Sequence, residues 1–236
     1  MPHANNMSLV IFDVDGTLVF SEKLDSKCFA TTYQQVYNLP FPTIDWRKYP
    51  HVSDTTIFKT VIQEHFNRVA TEAEEESFRQ KFVANIIENR KNTPTEFKEV
   101  PFAKQTIDRL LADDRFIVGV ATGGWKAPAI VKLNFVDIPT DQLIITGADG
   151  KVTRDDITNE TIIKAQKKYD NIERIVYVGD AIWDVTTTKN MDLPLIGIRR
   201  KGDVEFLEKL GVGLVLKDYE NYDTFLEGVL NVGVPS

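Results

Sequence analysis

Several short apolar runs, each of strand length and most ending in a small polar turn, constrain this chain more than any other feature of it. Leu9-Val10-Ile11-Phe12 stops at Asp13-Val14-Asp15-Gly16, and Phe116 to Ala121 stops at Thr122-Gly123-Gly124. Leu143 to Thr146 ends at Gly147, and Ile175 to Val178 ends at Gly179-Asp180. Leu195 to Ile198, followed by Arg199-Arg200, and Leu214-Val215-Leu216 add two more. Helical patterns fill the gaps at 126–134, 157–169, 182–190, 203–210 and 222–231, and Pro101 suits the first turn of a helix carrying Phe102, Ile107, Leu110 and Leu111. A strand that is apolar without alternation is covered on both faces, and such strands interleaved with helices make a parallel sheet between helical layers. The fold class expected is therefore α/β, a doubly wound parallel sheet. Ligands of such sheets lie beyond the carboxyl ends of the strands, which directs attention to the polar residues that end each run.

The segment from 21 to 97 breaks this rhythm. It holds no comparable strand run, and its apolar residues recur at helical spacing: Phe29, Tyr33, Val36 and Tyr37; Ile57, Phe58, Val61 and Ile62; Phe78, Phe82 and Ile86. Thr71-Glu72-Ala73-Glu74 has the spacing of a capping box and is expected to open the third of these helices. Asn38 to Pro42 and Lys91 to Pro94 are loop signals. The expected organisation is an α/β core formed by residues 1–20 and 98–236, with an α-helical insertion over 21–97.

Composition narrows the function. With 28 Lys and Arg against 35 Asp and Glu, the formal charge is −7, which argues against a protein that grips a phosphate backbone; no nucleic-acid partner is expected. No apolar run approaches the ~20 residues needed to cross a bilayer, so no membrane partner is expected either. The polar stretch Met1 to Ser8 has no apolar leader region, and the single cysteine, Cys28, cannot form an internal disulfide. Both features lead us to expect a cytoplasmic protein; a monomer or weak dimer is expected.

Asp13 and Asp15 stand two apart at a strand end, so extended geometry aims both carboxylates to one side of the sheet edge. Two anions in one place repel unless a cation joins them or one is protonated. Asp180 and Asp184 end another strand and can reach the same edge. Carboxylate oxygens from separate segments, without Cys or His, suit Mg²⁺ rather than zinc. Each turn taken singly could be structural, but three strand ends delivering Asp/Asp, Thr and Asp/Asp to one edge are hard to obtain from turn chemistry.

Asp13-Val14-Asp15-Gly16-Thr17-Leu18, Val120-Ala121-Thr122-Gly123 and Val178-Gly179-Asp180 with Asp184 resemble the first, second and fourth motifs of the haloacid dehalogenase superfamily of phosphotransferases. The resemblance runs from Val10 to about Ile198 and implies a Rossmann-like core. The insertion looks like the cap of the subgroup that includes beta-phosphoglucomutase and phosphoglycolate phosphatase. The resemblance implies that Asp13 is the nucleophile, forming an aspartyl phosphate, and that Asp15 is the general acid and then the base. It implies Mg²⁺ bound by Asp13, the Asp15 carbonyl and Asp180, with Asp184 as a further ligand or a supporting group, and phosphoryl oxygens bound by Thr122 and by backbone amides near Gly123.

The family's third motif, a basic residue commonly followed by proline, is not present in its usual form. Lys151, Arg154 and Lys164 are the candidates. Arg154 is favoured, because it sits just before a helix at about the family's separation from Asp180. In the insertion, His51, Thr55 and Thr56 are candidate substrate contacts, while Ser53 or Asp54 is a candidate helix cap. Trp125 and Trp183 either line the site or pack on the sheet, and His3, His65 and Cys28 are read as structural or solvent-facing. The expected function is a Mg²⁺-dependent phosphomonoester hydrolase acting on a small phosphorylated metabolite. A phosphomutase would use the same carboxylates, a dehalogenase would leave the second Asp without a role, and a receiver-like signalling domain would be shorter, with adjacent acidic residues. A non-catalytic phosphate-binding protein on the same scaffold would have no need to keep every acidic catalytic position.

Overall fold

The computed structural model describes residues 6–199 and 203–236; His3, the first residues of the polar leader and Arg200 lie outside the described residues. Strand β1 (Met7–Phe12) is the central strand. β4 (Phe116–Ala121) and β5 (Ile144–Thr146) lie to one side of it, and β6 (Ile172–Gly179), β7 (Leu195–Ile198) and β8 (Leu214–Leu216) to the other. The sheet order is β5-β4-β1-β6-β7-β8, with every pair parallel. The chain lays down strands outward in one direction and then returns to the centre to build outward in the other. The reversal falls between β1 and β6, the position at which doubly wound sheets open a crevice for ligands. The fold is thus the Rossmann-like α/β arrangement expected.

The lack of alternation in the strands has the anticipated cause: all of β4 is buried, as are Leu9 to Phe12. Helices α4 (Ala103–Leu111), α5 (Lys126–Asn134), α6 (Arg154–Lys168), α7 (Ile182–Asn190), α8 (Val204–Glu208) and α9 (Tyr222–Asn231) connect and cover the sheet. Between β1 and β4 the chain forms α1 (Glu22–Tyr37), α2 (Asp54–Phe66) and α3 (Glu72–Asn92), with one 3₁₀ turn at Trp46–Lys48. Thr71 and Glu74 form the capping box that opens α3, and Ser53 is the N-cap of α2, accepting from the Thr56 amide. The three helices bury an aromatic cluster: Phe29 meets the rings of Phe41, Trp46, Phe78, Phe82 and Trp125 at 5.1–5.9 Å between centroids.

Val19–Phe20 (β2) and Lys98–Glu99 (β3) pair as a small antiparallel ribbon where the chain leaves and re-enters the core. Three local expectations are corrected. Phe102 is not in α4; it precedes the helix in the left-handed conformation, with φ +64° and its ring 44% exposed. Val36 is exposed, turned away from the face that buries Phe29 and Tyr33. Lys91 and Asn92 belong to α3, which runs two residues into the loop signal. Among the described residues, no helix is long and apolar enough to cross a membrane.

Candidate active site

In the parallel pairing of β1 with β6, Phe12 lies beside Val178, so the residues that follow each strand emerge together. The Asp13 amide donates to the Val178 carbonyl at 2.9 Å, fixing Asp13 at the sheet edge. The carboxylates of Asp13, Asp180 and Asp184 offer oxygens that all lie within 4.8 Å of one another. Gly16 makes room for this cluster: it sits at φ +87°, and a Cβ there would run into the Asp180 carboxylate. Asp184 is fully engaged by protein. Its Oδ2 accepts from the amides of Asp180 and Ala181 at 3.0 Å each, and its Oδ1 from Arg154 Nη1 at 3.1 Å and Tyr177 at 3.4 Å.

Arg154 is the first residue of α6, positioned by the capping box of Thr153 and Asp156. Its buried guanidinium reaches Asp13 Oδ1 at 3.4 Å, lies 5.3 Å from the Trp183 ring centroid, and donates from Nε to the Val52 carbonyl at 3.1 Å. The other two basic candidates are occupied elsewhere, since Lys151 and Lys164 both pair with Glu160.

The electrostatics follow from burial. Desolvation pushes Asp13 up to about 7; Arg154 opposes this, while Asp184 and Asp15 add to it. Burial raises Asp184 as well, against the pull of Arg154. Burial works against the charge of Arg154, but Asp13 and Asp184 more than offset it and hold the guanidinium above its ordinary value. Oxygen donors alone, crowded and costly to ionise together, are a donor set that fits a hard divalent cation.

These groups face a cavity of about 550 Å³. Its walls include Asp13, Asp15, Gly123, Gly124, Arg154, Asp180 and Trp183 from the sheet edge, and Asp25, Trp46, Val52, Ser53, Asp54 and Ile57 from the inserted segment. A larger hollow of about 660 Å³ beside Arg109 and Tyr222 holds none of the strand-end carboxylates. Thr122 is buried just behind the wall, where its hydroxyl accepts from the Gly124 amide at 3.2 Å and sets the turn that presents Gly123 and Gly124.

The three candidate substrate contacts of the insertion are placed elsewhere. His51 is exposed and lines a neighbouring hollow. The Thr55 hydroxyl is buried with its one proton shared between the Ala148 carbonyl at 2.7 Å and Glu75 at 2.8 Å, and the Thr56 hydroxyl donates to the Val152 carbonyl at 3.0 Å. Both threonines secure α2 to the core loop at 148–152. Asp54 faces the cavity in their stead: its amide donates to the Gly123 carbonyl at 2.8 Å, and its Oδ2 accepts from the Trp125 amide at 2.9 Å. Burial, followed by the nearby Asp25, raises Asp54 well above the carboxylate range. Trp125 is a core residue, its indole NH shared between Thr55 and Glu75.

Sequence reasoning passed over Lys132. This residue of α5 is buried, with Nζ 2.7 and 2.6 Å from the two oxygens of Asp15 and 2.8 Å from Asp25 Oδ1. Its burial is offset by the two carboxylates, which hold the ammonium charged. The available signal was its spacing, since Ala129, Lys132 and Leu133 share the buried stripe of α5.

A strand-end acidic cluster at the crossover of a doubly wound parallel sheet, facing an inserted helical segment, places the chain in the Rossmann-like α/β class. Residues 10–198 match the family model described as haloacid dehalogenase-like hydrolase, so the chain belongs to that family. Among solved structures it is similar to a hydrolase from Pseudomonas syringae, with 20% identity and a TM-score of 0.64 over 92% of this chain and 97% of that one. CbbY from Rhodobacter sphaeroides in complex with phosphate gives 15% identity and a TM-score of 0.67 over 91% and 96%. A family IA hydrolase from Entamoeba histolytica gives 15% and 0.67 over 95% and 100%. No curated protein matches the chain in sequence.

Proposed function

We propose that the chain is a Mg²⁺-dependent phosphomonoester hydrolase that acts on a small phosphorylated metabolite through a phosphorylated Asp13. The observation that carries this reading is the joint presence of Asp13 and Asp15, from one strand end, on the wall of one cavity with Arg154 and Asp180. The phosphate named in the CbbY complex supports the same substrate class. An Asp13 oxygen attacks phosphorus while the bond to the leaving oxygen breaks, and Asp15 gives that oxygen its proton. Water then attacks the phosphorus of phospho-Asp13 and loses a proton to Asp15, and inorganic phosphate departs as the carboxylate of Asp13 is restored. Arg154 and the amides of the Gly123 turn bind the phosphoryl oxygens as their charge grows. Asp13, Asp180 and the Asp15 carbonyl, with Asp184 beside them, would hold Mg²⁺, whose positive charge would let an anionic nucleophile meet an anionic ester. In this reading residues 21–97 are a cap over a core made of 1–20 and 98–236, and Asp54 and Asp25 replace His51, Thr55 and Thr56 as the substrate-facing groups of the cap.

The test is a phosphate-release screen over sugar phosphates, phosphoglycolate, nucleotides and 4-nitrophenyl phosphate, with and without Mg²⁺, on the wild type and Asp13→Asn. We expect Mg²⁺-dependent release that Asp13→Asn abolishes while its circular dichroism stays native. Near-normal turnover in the variant refutes the mechanism, and isomer interconversion without net phosphate release would assign a mutase instead.

A further inference from the structure

We propose that Lys132 is the positioning residue for Asp15, fixing which carboxylate oxygen meets the leaving group. The inference rests on the reading of Asp15 as general acid. Lys132 spans both Asp15 oxygens at 2.7 and 2.6 Å, and the Ser21 hydroxyl donates to Oδ1 as well. Oδ1 therefore has both lone pairs engaged by protein, whereas Oδ2 is engaged by Lys132 alone, and Asp15 lines the cavity. The third donor direction of the ammonium is taken by Asp25 on α1, which ties the Asp15 clamp to the other wall of the same cavity.

Folding alone does not call for a lysine here. A buried charge carries a desolvation cost that pairing at best offsets, and apolar replacements of buried ion pairs are often neutral or stabilising. Position 132 lies on the apolar stripe of α5 between Ala129 and Leu133, where methionine or leucine would pack. Within the proposed mechanism, a fixed carboxyl is needed when a poor leaving group must be protonated as its bond to phosphorus breaks. An ester whose leaving group departs as a stable anion makes no such demand, so the role of Lys132 can be read from its dependence on leaving group.

The experiment measures kcat/KM, which covers the steps up to phospho-Asp13, for 4-nitrophenyl phosphate and for the fastest sugar phosphate of the screen. The variants are Lys132→Met, Lys132→Arg and Asp15→Asn. Lys132→Met is expected to lower the sugar-phosphate to aryl-phosphate ratio by about 10- to 100-fold, the share of a misplaced general acid, and Asp15→Asn is expected to lower it at least as far. Lys132→Arg keeps a cation between Asp15 and Asp25 and so tests the same ratio should the methionine variant fail to fold; a smaller fall in the same direction is expected. If Asp15→Asn shifts the ratio while both Lys132 variants depress the two substrates equally, Lys132 is only structural and the inference is overturned with the general-acid reading intact. If Asp15→Asn leaves the ratio unchanged, the general-acid reading falls and the inference falls with it.

Discussion

Removing Arg154 is the most informative single perturbation of the site. Its guanidinium lies 3.4 Å from Asp13 and 3.1 Å from Asp184; both carboxylates are buried and the Arg154 side chain is only 12% exposed. Two unit charges about 4 Å apart at an effective dielectric near 20 attract by about 4 kcal/mol. Breaking a buried pair by deleting one partner costs about 3–5 kcal/mol, because a charge is left without compensation. Domains are typically stable by about 5–15 kcal/mol, so Arg154→Ala should still fold, with a lower urea midpoint. The loss in rate should exceed what stability alone suggests, since Arg154 faces the oxygens on which charge grows in the proposed reaction. Loss of one such donor typically costs about 10²–10³-fold in rate. Asp13, already pushed up to about 7 with Arg154 opposing the rise, should move higher still, so the rising limb of the pH–rate curve shifts to higher pH. Lys151, paired with Glu160, makes the control, and Lys151→Ala should stay within about threefold of wild type, as surface pairs contribute little. Phosphate release from 4-nitrophenyl phosphate between pH 5.5 and 9, alongside urea melts, reads both effects. Near-normal turnover in Arg154→Ala with loss of turnover in Lys151→Ala would refute the assignment.

Two further outcomes follow from burial. Asp13 at about 7 holds a proton in the folded chain that an unfolded carboxylate, ordinarily near 3.8, has released, so its contribution to stability falls as pH rises through that window, and Asp184 is raised in the same direction. In EDTA the difference in thermal midpoint between wild type and Asp13→Asn should therefore move against the wild type from pH 5 to pH 8, and Mg²⁺ should raise the wild-type midpoint more at pH 8. Equal Mg²⁺ shifts at the two pH values would contradict this. Phe29→Ala should cost about 3–5 kcal/mol in urea denaturation, the usual range for a buried phenylalanine, because its ring is packed among Phe41, Phe78, Phe82 and Trp125. A cost below about 1 kcal/mol would mean that the cluster closes over the gap.

The sheet was legible because its strands are buried on both faces, so that runs such as Phe116 to Ala121 carry no polar interruption to confuse with a helix. The ribbon of β2 with β3 was not, because two residues per strand display no period. Phe102 misled because an aromatic after a proline suits a helix start, while the residue takes the left-handed conformation just before the helix. At the site, short-range pattern revealed the strand-end acids, whose spacing of two and of four is itself geometric. The other wall escaped notice for a different reason. Lys132 and Asp54 are charged residues on helices, ordinarily solvated, and only contact with partners 117 residues distant, as for Lys132 and Asp15, or with the Gly123 turn makes them internal. The threonines of the insertion showed the converse: their hydroxyls suit a ligand, but neighbouring carbonyls had already claimed them.

The bonds from Val52 and Asp54 to Arg154, Gly123 and Trp125 carry a mechanical consequence. The backbone turn that would grip a phosphoryl group is the same backbone that fastens the start of α2. Any swing of that helix away from the sheet must strip acceptors and donors from the turn at the moment the chamber opens. In the proposed hydrolase, loosening these bonds should therefore trade retention of product against the speed of its escape.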